Sequence, residues 1–281
     1  MSAPVHFTII TPNLNYGRFL GECLESVASQ EGVILDQDDT RAGGPRSLHV
    51  TLEHLVIDGG STDDSAEVAA RFPHVVWSRE PDEGLADAIN KGFDRARGEW
   101  VMWLNADDIL MPDALSKVAA FVRTHPEVDV AHGDCVFVAS DRSFIRRKYD
   151  HPMDELTLMF AGCWIPSTST FLKRRVVTDG NRLDHRLRNS FDWDFYLRLW
   201  RAGYRFGYLA EPLAEFRWHD RNLTITHDSR RRAEDLEVKR RHLAERGMPA
   251  ILGWRPVLAI LQGVFKARRV ALRWRTHRRL R

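Results

Sequence analysis

Apolar positions along the chain follow two alternating patterns. Val5 to Thr11 is a short apolar run closed by Pro12, whereas Tyr16 to Gln30 repeats Phe19, Leu20, Cys23, Leu24 and Val27 at three- and four-residue spacing. That predicts a strand, then a helix. The stretch LEHLVIDGG predicts a second strand, with Ser61 or Thr62 able to cap a helix running through Val68 and Ala69. HVVWS predicts a third strand, Gly84 to Ala96 a helix and EWVMWL a fourth strand, and Pro112 suits the first turn of a helix to about Thr124. Repetition of this unit predicts an α/β fold built on a mostly parallel sheet flanked by helices. Gly32 to Ser47 has no period and reads as a surface loop. Its Asp36, Asp38 and Asp39 lack the full ligand spacing of a calcium loop.

In a parallel sheet, ligands bind beyond the carboxyl ends of the strands. Thr11, Asn13 and Asn15 follow the first predicted strand, Asp58 follows the second, and Asn105, Asp107 and Asp108 follow the fourth. These polar groups should converge on one edge. The segment WLNADDILMPDAL adds an energetic problem, because two adjacent carboxylates come directly after the apolar run Trp100 to Leu104. An unpaired buried charge costs several kcal/mol, so a positive partner is expected.

Composition narrows the class. With 281 residues, 43% of them hydrophobic and 28% charged, the chain can bury a sizeable core as one large domain, with or without an appendage. No apolar run approaches the ~18 residues of a membrane span, and the start lacks a secretory pattern, so a cytoplasmic location is expected. Cys23, Cys135 and Cys163 are odd in number and far apart, which predicts reduced packing residues rather than a disulfide framework. The net charge of +2 conceals a split. Residues 246–281 hold ten Lys or Arg and no acid, which leaves −8 on the rest. Within that tail Val257, Leu258, Leu261, Val264, Phe265 and Leu272 recur at helical spacing among Lys266, Arg268, Arg269, Arg273 and Arg275, with Trp254 and Trp274 near the ends. This is the pattern of a cationic interfacial helix on an anionic membrane; a packing helix with a solvated basic face is the alternative. No aromatic and basic platform accompanies it, so nucleic acid is not an expected partner.

The ordered series TPNLNYGRFLGECLESVASQ, VIDGGSTD, EPDEGLADAINKG, EWVMWLNADD and FDWDFYLRLWRAG resembles family 2 glycosyltransferases of the GT-A fold over roughly Phe7 to His219. Within that family it looks most like bacterial enzymes of surface-polysaccharide synthesis. The resemblance implies inverting transfer of a sugar from a nucleotide-diphosphate donor to a hydroxyl of a glycan or lipid-linked acceptor, with Mn²⁺ or Mg²⁺ as cofactor. It implies a donor half over about 1–108 and an acceptor half over about 109–228 within a 1–247 domain, while the change of composition beyond Gly247 marks 248–281 as a basic amphipathic helix.

Matched residue by residue, Thr11, Pro12, Asn13, Asn15 and Asp58 resemble the base and ribose site, while Asp87 and Lys91 fall on the donor side. Asp87 and Lys91 also suit an ordinary surface pair four residues apart. Asn105, Ala106 and Asp107 match the DxD motif, with Asn105 in place of its first Asp; Asp107 becomes the principal metal ligand and His219 a further one. Asp108 is divided between that site and a helix-start role. Gly59 stands where many relatives have a second Asp. Asp192 matches the general base, with Phe191 replacing the usual Glu, and Asp194 is the competing choice. Trp164 could stack on an acceptor sugar or belong to the core. A nucleotidyltransferase and a non-catalytic membrane or nucleic-acid adaptor are the other classes consistent with such a sheet.

Overall fold

The computed structural model describes residues 5–31, 33–35, 50–220, 222 and 228–278. The amino-terminal half contains β1 (Val5–Asn13), α1 (Gly17–Ala28), β2 (Val33–Leu35), β3 (Val50–Asp58), α2 (Ser65–Ala69), β4 (Val75–Arg79), α3 (Leu85–Arg95) and β5 (Trp100–Trp103). Then come β6 (Ile109–Leu110), α4 (Ala114–Thr124), β7 (Val130–Ala139), β8 (Phe144–Lys148), α5 (Glu155–Ala161), β9 (Thr170–Lys173), α6 (Arg174–Thr178), α7 (Phe191–Arg201) and β10 (Phe206–Trp218). Helices α8 (Asp228–Glu245) and α9 (Arg255–Arg278) follow.

The ten strands among the described residues join one sheet, ordered β2-β3-β1-β5-β9-β7-β10-β6, with β4 also on β3 and β8 on β7. The amino-terminal strands pair in parallel, as expected. Beyond β5 the sheet is mixed: β9 runs antiparallel to both β5 and β7, and β10 runs parallel to β7. β1 and β3 are buried along almost their whole length, which explains their unbroken apolar runs. α3 lies close on β1 because Gly92 has no side chain; a Cβ there would stand 2.4 Å from Ile10.

Several boundaries differ from the sequence reading. Val33–Leu35, read as loop, adds a strand to β3, while Asp36, Asp38 and Asp39 lie outside the described residues. α2 begins at Ser65 rather than after Ser61 or Thr62, because Ser61 instead bonds back to Asp58. Pro112 precedes α4 by two residues, and Asp113 takes the N-cap position. Apart from these differences, α7 starts at Phe191, which places both Asp192 and Asp194 in its first turn.

The tail does not stand apart from the body. Leu258 is buried against the main core, with Leu261 and Phe265 packed beside it, and Phe265 stacks on Phe160 of α5 with ring centroids 5.0 Å apart. Arg268 pairs with Asp154 at 2.7 Å and Arg269 with Asp150 at 3.1 Å. Leu258, Leu261 and Phe265 of the predicted stripe therefore serve packing, the alternative weighed for this helix.

Candidate active site

Strand ends bring two polar clusters to the same sheet edge. At the end of β1, Asn13 donates through Nδ2 to Asp58 Oδ1 (2.8 Å) and to Ser61 Oγ (3.0 Å). Asp58, buried at the end of β3, also accepts from the Ser61 N–H at 2.9 Å. Asn15 adopts a left-handed backbone (φ 57°), which turns its carboxamide oxygen to accept from the Thr62 N–H at 2.8 Å. This ties the loop after β1 to the turn after β3. The space beside Gly59 is taken by another carboxylate, since a Cβ on Gly59 would stand 2.3 Å from Asp82 Oδ2. Asp82 was not singled out from sequence, because it follows β4 and comes near Gly59 only through the β3 and β4 pairing.

The second cluster follows β5. Asp107 Oδ2 lies 2.8 Å from His219 Nε2 and accepts from Asn222 Nδ2 at 3.3 Å, so the residue just after β10 meets the loop after β5. Asp108 turns the other way. It accepts from the Arg217 N–H and Asn105 Nδ2, both at 3.1 Å, which fixes the loop to β10 rather than capping α4. Burial, and then the neighbouring Asp107 carboxylate, push the Asp108 carboxyl well above its usual range. Part of the expected positive partner is in the protein itself. Arg217 is only 1% exposed; it donates to the Asp107 carbonyl (2.9 Å), the Ser140 carbonyl (2.8 Å) and Glu22 (2.9 Å). Sequence reasoning missed Arg217 and Asn222. The available signal was an Arg two residues before His219, on the same side of the alternating β10.

Two buried amide oxygens in these clusters, Asn13 Oδ1 and Asn105 Oδ1, have no hydrogen-bond partner among the described residues. β1 and β5 are neighbouring strands, so these acceptors belong to one edge. Such orphans mark places where a ligand, ion or water completes the bonding. The donor set also fits a divalent cation, because a carboxylate and an imidazole bound side by side to one octahedral ion stand ~3 Å apart. Among the described residues no group of three or more His, Cys, Asp or Glu is gathered, which leaves the rest of such a shell to water and phosphate.

Other predicted donor residues sit differently. Thr11 turns inward, its hydroxyl 2.9 Å from His54 Nε2. Pro12 is buried beside Asn13 in β1, and Ala106 is buried between Asn105 and Asp107. Asp87 and Lys91 pair at 3.0 Å on α3, and both hold the loop before it: Asp87 accepts from the Glu83 N–H (3.0 Å) and Lys91 donates to the Pro81 carbonyl (2.5 Å).

The two acids of α7 separate clearly. Asp194 is buried and engaged by Arg198 (2.8 Å), Arg241 (2.6 Å) and His242 (2.9 Å). Burial works to raise its carboxyl, but the His242 hydrogen bond and the two arginines outweigh it and hold the group below its usual value. Asp192 accepts from the Trp193 N–H at 2.7 Å and lies 3.8 Å from the Cys163 thiol, with partial access to solvent. Crowding by protein atoms, opposed by the Trp193 bond and reinforced by Asp235, pushes its carboxyl up to about 6. One turn along α7, Tyr196 stacks on Trp103 of β5 with centroids 6.5 Å apart, which anchors this helix to the strand preceding the Asp107 loop. One expectation changes here and one open choice closes. Cys163 is exposed rather than a packing residue, and Trp164 is fully buried against His151 (centroids 4.0 Å apart), so it is a core residue and presents no face to a sugar.

Comparison with known proteins agrees with this architecture. The family model described as "Glycosyl transferase family 2" matches residues 8–186, and the chain belongs to that family. A PGL/p-HBAD biosynthesis glycosyltransferase of Mycobacterium bovis is 31% identical over 204 residues, covering 70% of each chain. The O-antigen biosynthesis protein RfbC of Myxococcus xanthus is 28% identical over 83% of this chain but only 17% of its own length. Among solved structures, S. aureus TarS 1-349 in complex with UDP-GlcNAc superposes with a TM-score of 0.67 at 17% identity, over 93% of this chain and 71% of that one. Pyrobaculum calidifontis mannosyltransferase PcManGT, in complex with GDP-Man and Mn²⁺, gives 0.60 at 17% identity, over 93% and 70%. Against the longer TarS chain this protein spans 39% of the length. The fold is that of the GT-A glycosyltransferases.

Proposed function

We propose that the protein is an inverting, metal-dependent glycosyltransferase that moves a sugar from a nucleotide-diphosphate donor to a hydroxyl of a glycan or lipid-linked acceptor. The carrying observation is the sheet edge where Asn13 and Asn105 keep buried, unsatisfied oxygens beside Asp58 and the Asp107 and His219 pair. In this reading Asn13, Asn15 and Asp58 hold base and ribose. Pro12 fixes the end of β1 next to Asn13, Thr11 braces β1 from inside, Asn105 and Ala106 line the donor, and Asp87 and Lys91 hold the 81–84 loop beside it. Asp107, with His219, would hold Mn²⁺ or Mg²⁺, which when bound offsets charge on the departing diphosphate. Arg217 and Asp108 keep Asp107 in place.

Asp192 is the general base. It takes the proton from the acceptor hydroxyl as that oxygen attacks the anomeric carbon opposite the diphosphate, which inverts the configuration. A carboxyl raised to about 6 suits that task near neutral pH, and the engaged Asp194 does not. A role in cell-surface glycan or glycolipid synthesis is supported by the biosynthetic roles for which the mycobacterial and myxococcal relatives are named. The basic α9 supports work at the cytoplasmic face of a membrane, where a lipid-linked acceptor would be found.

Incubation with UDP-, GDP- and dTDP-sugars, Mn²⁺ and a lipid-linked acceptor tests the reading. Release of a nucleoside diphosphate is expected. Release of pyrophosphate would indicate a nucleotidyltransferase instead, and binding without turnover of any donor would indicate an adaptor.

A further inference from the structure

The outward face of α9 is the unusual surface of the molecule. With Leu258, Phe265, Arg269 and Thr276 facing the body, a helical projection places Ile260, Gly263, Val264, Ala267, Val270, Ala271 and Trp274 on the opposite arc of about 120°. The exposures agree: Ile260 is 68% exposed, Val264 58%, Val270 55% and Trp274 60%. Ala267 and Ala271 are exposed as well. A surface helix ordinarily turns polar residues outward. Here both the packed and the solvent faces are apolar, and the outer stripe from Ile260 to Trp274 runs about 21 Å along the axis.

Charges border the stripe. Arg268 and Arg269 pair with Asp154 and Asp150 on the body. Lys266, Arg275 and Arg278 meet no carboxylate among the described residues, and Arg278 lies over the Trp274 ring at 4.6 Å. No acidic residue follows Glu245 in the sequence.

We infer that this outer stripe is a docking face for an anionic lipid surface, with α9 lying flat. Ile260, Val264, Val270 and Trp274 enter the acyl boundary, while Lys266, Arg275 and Arg278 meet the phosphate headgroups. The charge pattern selects this occupant. A second copy would bring one basic border against another with no acid to answer it, whereas an anionic headgroup layer complements both borders. The inference rests on the membrane reading above and moves the contact from Leu258 and Phe265, which pack on the body, to a face the body leaves open. Because α9 packs on α5, and the chain runs from Ala161 through Gly162 to Cys163 beside Asp192, the base lies a short way from the docked helix. An amphiphilic acceptor fits that arrangement.

The test is cosedimentation of the full chain with vesicles of phosphatidylcholine alone and of equal phosphatidylcholine and phosphatidylglycerol, at low and physiological salt. A variant carrying Ile260→Ser, Val264→Ser and Trp274→Ser is compared, with circular dichroism and donor binding as fold controls. The unmodified chain should pellet with the anionic vesicles in a salt-sensitive way, and the variant should bind them at least tenfold more weakly with donor binding unchanged. No pelleting of the unmodified chain would overturn the membrane reading itself. Equal pelleting of the two chains would overturn only the assignment of the face. A concentration-dependent dimer in light scattering, lost in the variant, would assign the stripe to a second copy and overturn the inference.

Discussion

Two pairs of acids, Asp107 with Asp108 and Asp192 with Asp194, divide their work in the same way by different means. In each pair one carboxylate is consumed by the fold. Asp108 fastens the loop after β5 to the Arg217 backbone, and Asp194 fastens α7 to α8 through Arg241 and His242. The other member of each pair faces a site: Asp107 with His219 and Asn222, Asp192 with a peptide N–H and a distant thiol. The pairs differ in how charge is managed. Arg217 brings a guanidinium against the Asp107 loop, which readies it for further anionic groups once a cation binds. Asp192 makes no hydrogen bond or ion pair to a cationic side chain among the described residues, and its carboxyl moves toward neutrality, as a proton acceptor working near pH 7 requires. Adjacent acids are thus distinguished by what satisfies them rather than by sequence position.

The largest expected effect breaks the first pair. Asp107→Ala, or exhaustive chelation, should abolish donor turnover, a loss of at least several kcal/mol of transition-state stabilisation. Calorimetric titration should show Mn²⁺ binding lost with it. Asp108→Asn should retain Mn²⁺ binding in its folded fraction, and equal loss of Mn²⁺ binding in both variants would erase the distinction.

Next comes the structural member of the second pair. Asp194→Ala leaves Arg198, Arg241 and His242 around an empty position, and breaking a buried ionic cluster of this kind costs about 3–5 kcal/mol. Urea denaturation should show it. Asp192→Asn, by contrast, removes a carboxyl whose raised value makes the folded state less stable as pH rises from about 4 to 6. Its melting temperature at pH 7 should equal or exceed that of the parent.

A more gradual effect, spread over the acid range, comes from buried histidines. Burial, with His74 nearby, pushes His54 down to about 3, and burial with His151 pushes His132 down to about 3. Each is neutral in the fold but takes a proton near pH 6.5 when unfolded. Below that value the unfolded chain binds more protons, so stability should fall toward acid by about 1.4 kcal/mol per pH unit per histidine until their folded values are reached. His54→Gln should flatten the decline, as followed by urea midpoints between pH 7 and 4.

Much of this was legible in the chain because local patterns specify it. The apolar runs of β1, β3 and β5 and the helical spacing of α1 and α3 announced a βα sheet, and the polar residues after those strands marked its edge. What escaped depended on contacts between distant segments. Nothing near Val33 announces that it pairs with Val50, nothing in FRWHD shows that Arg217 reaches Glu22, and nothing in SFDWDF shows that Asp194 is claimed by α8. The α9 stripe was half legible for a related reason. One apolar period was visible, with a membrane or the body as its two candidate partners, while the helix carries two opposed apolar faces and the body takes Leu258, Leu261 and Phe265.

The central claim is that Asp192, and not its neighbour, accepts the acceptor proton. Asp192→Asn preserves size and hydrogen bonding at the helix start but cannot take a proton, so steady-state kinetics should show kcat lowered by roughly 10²- to 10⁴-fold with donor binding retained. The parent rate should rise with pH through about 6. Asp194→Asn, assayed on folded protein, should keep most of its turnover. A fully active Asp192→Asn beside a folded but inactive Asp194→Asn would contradict the account.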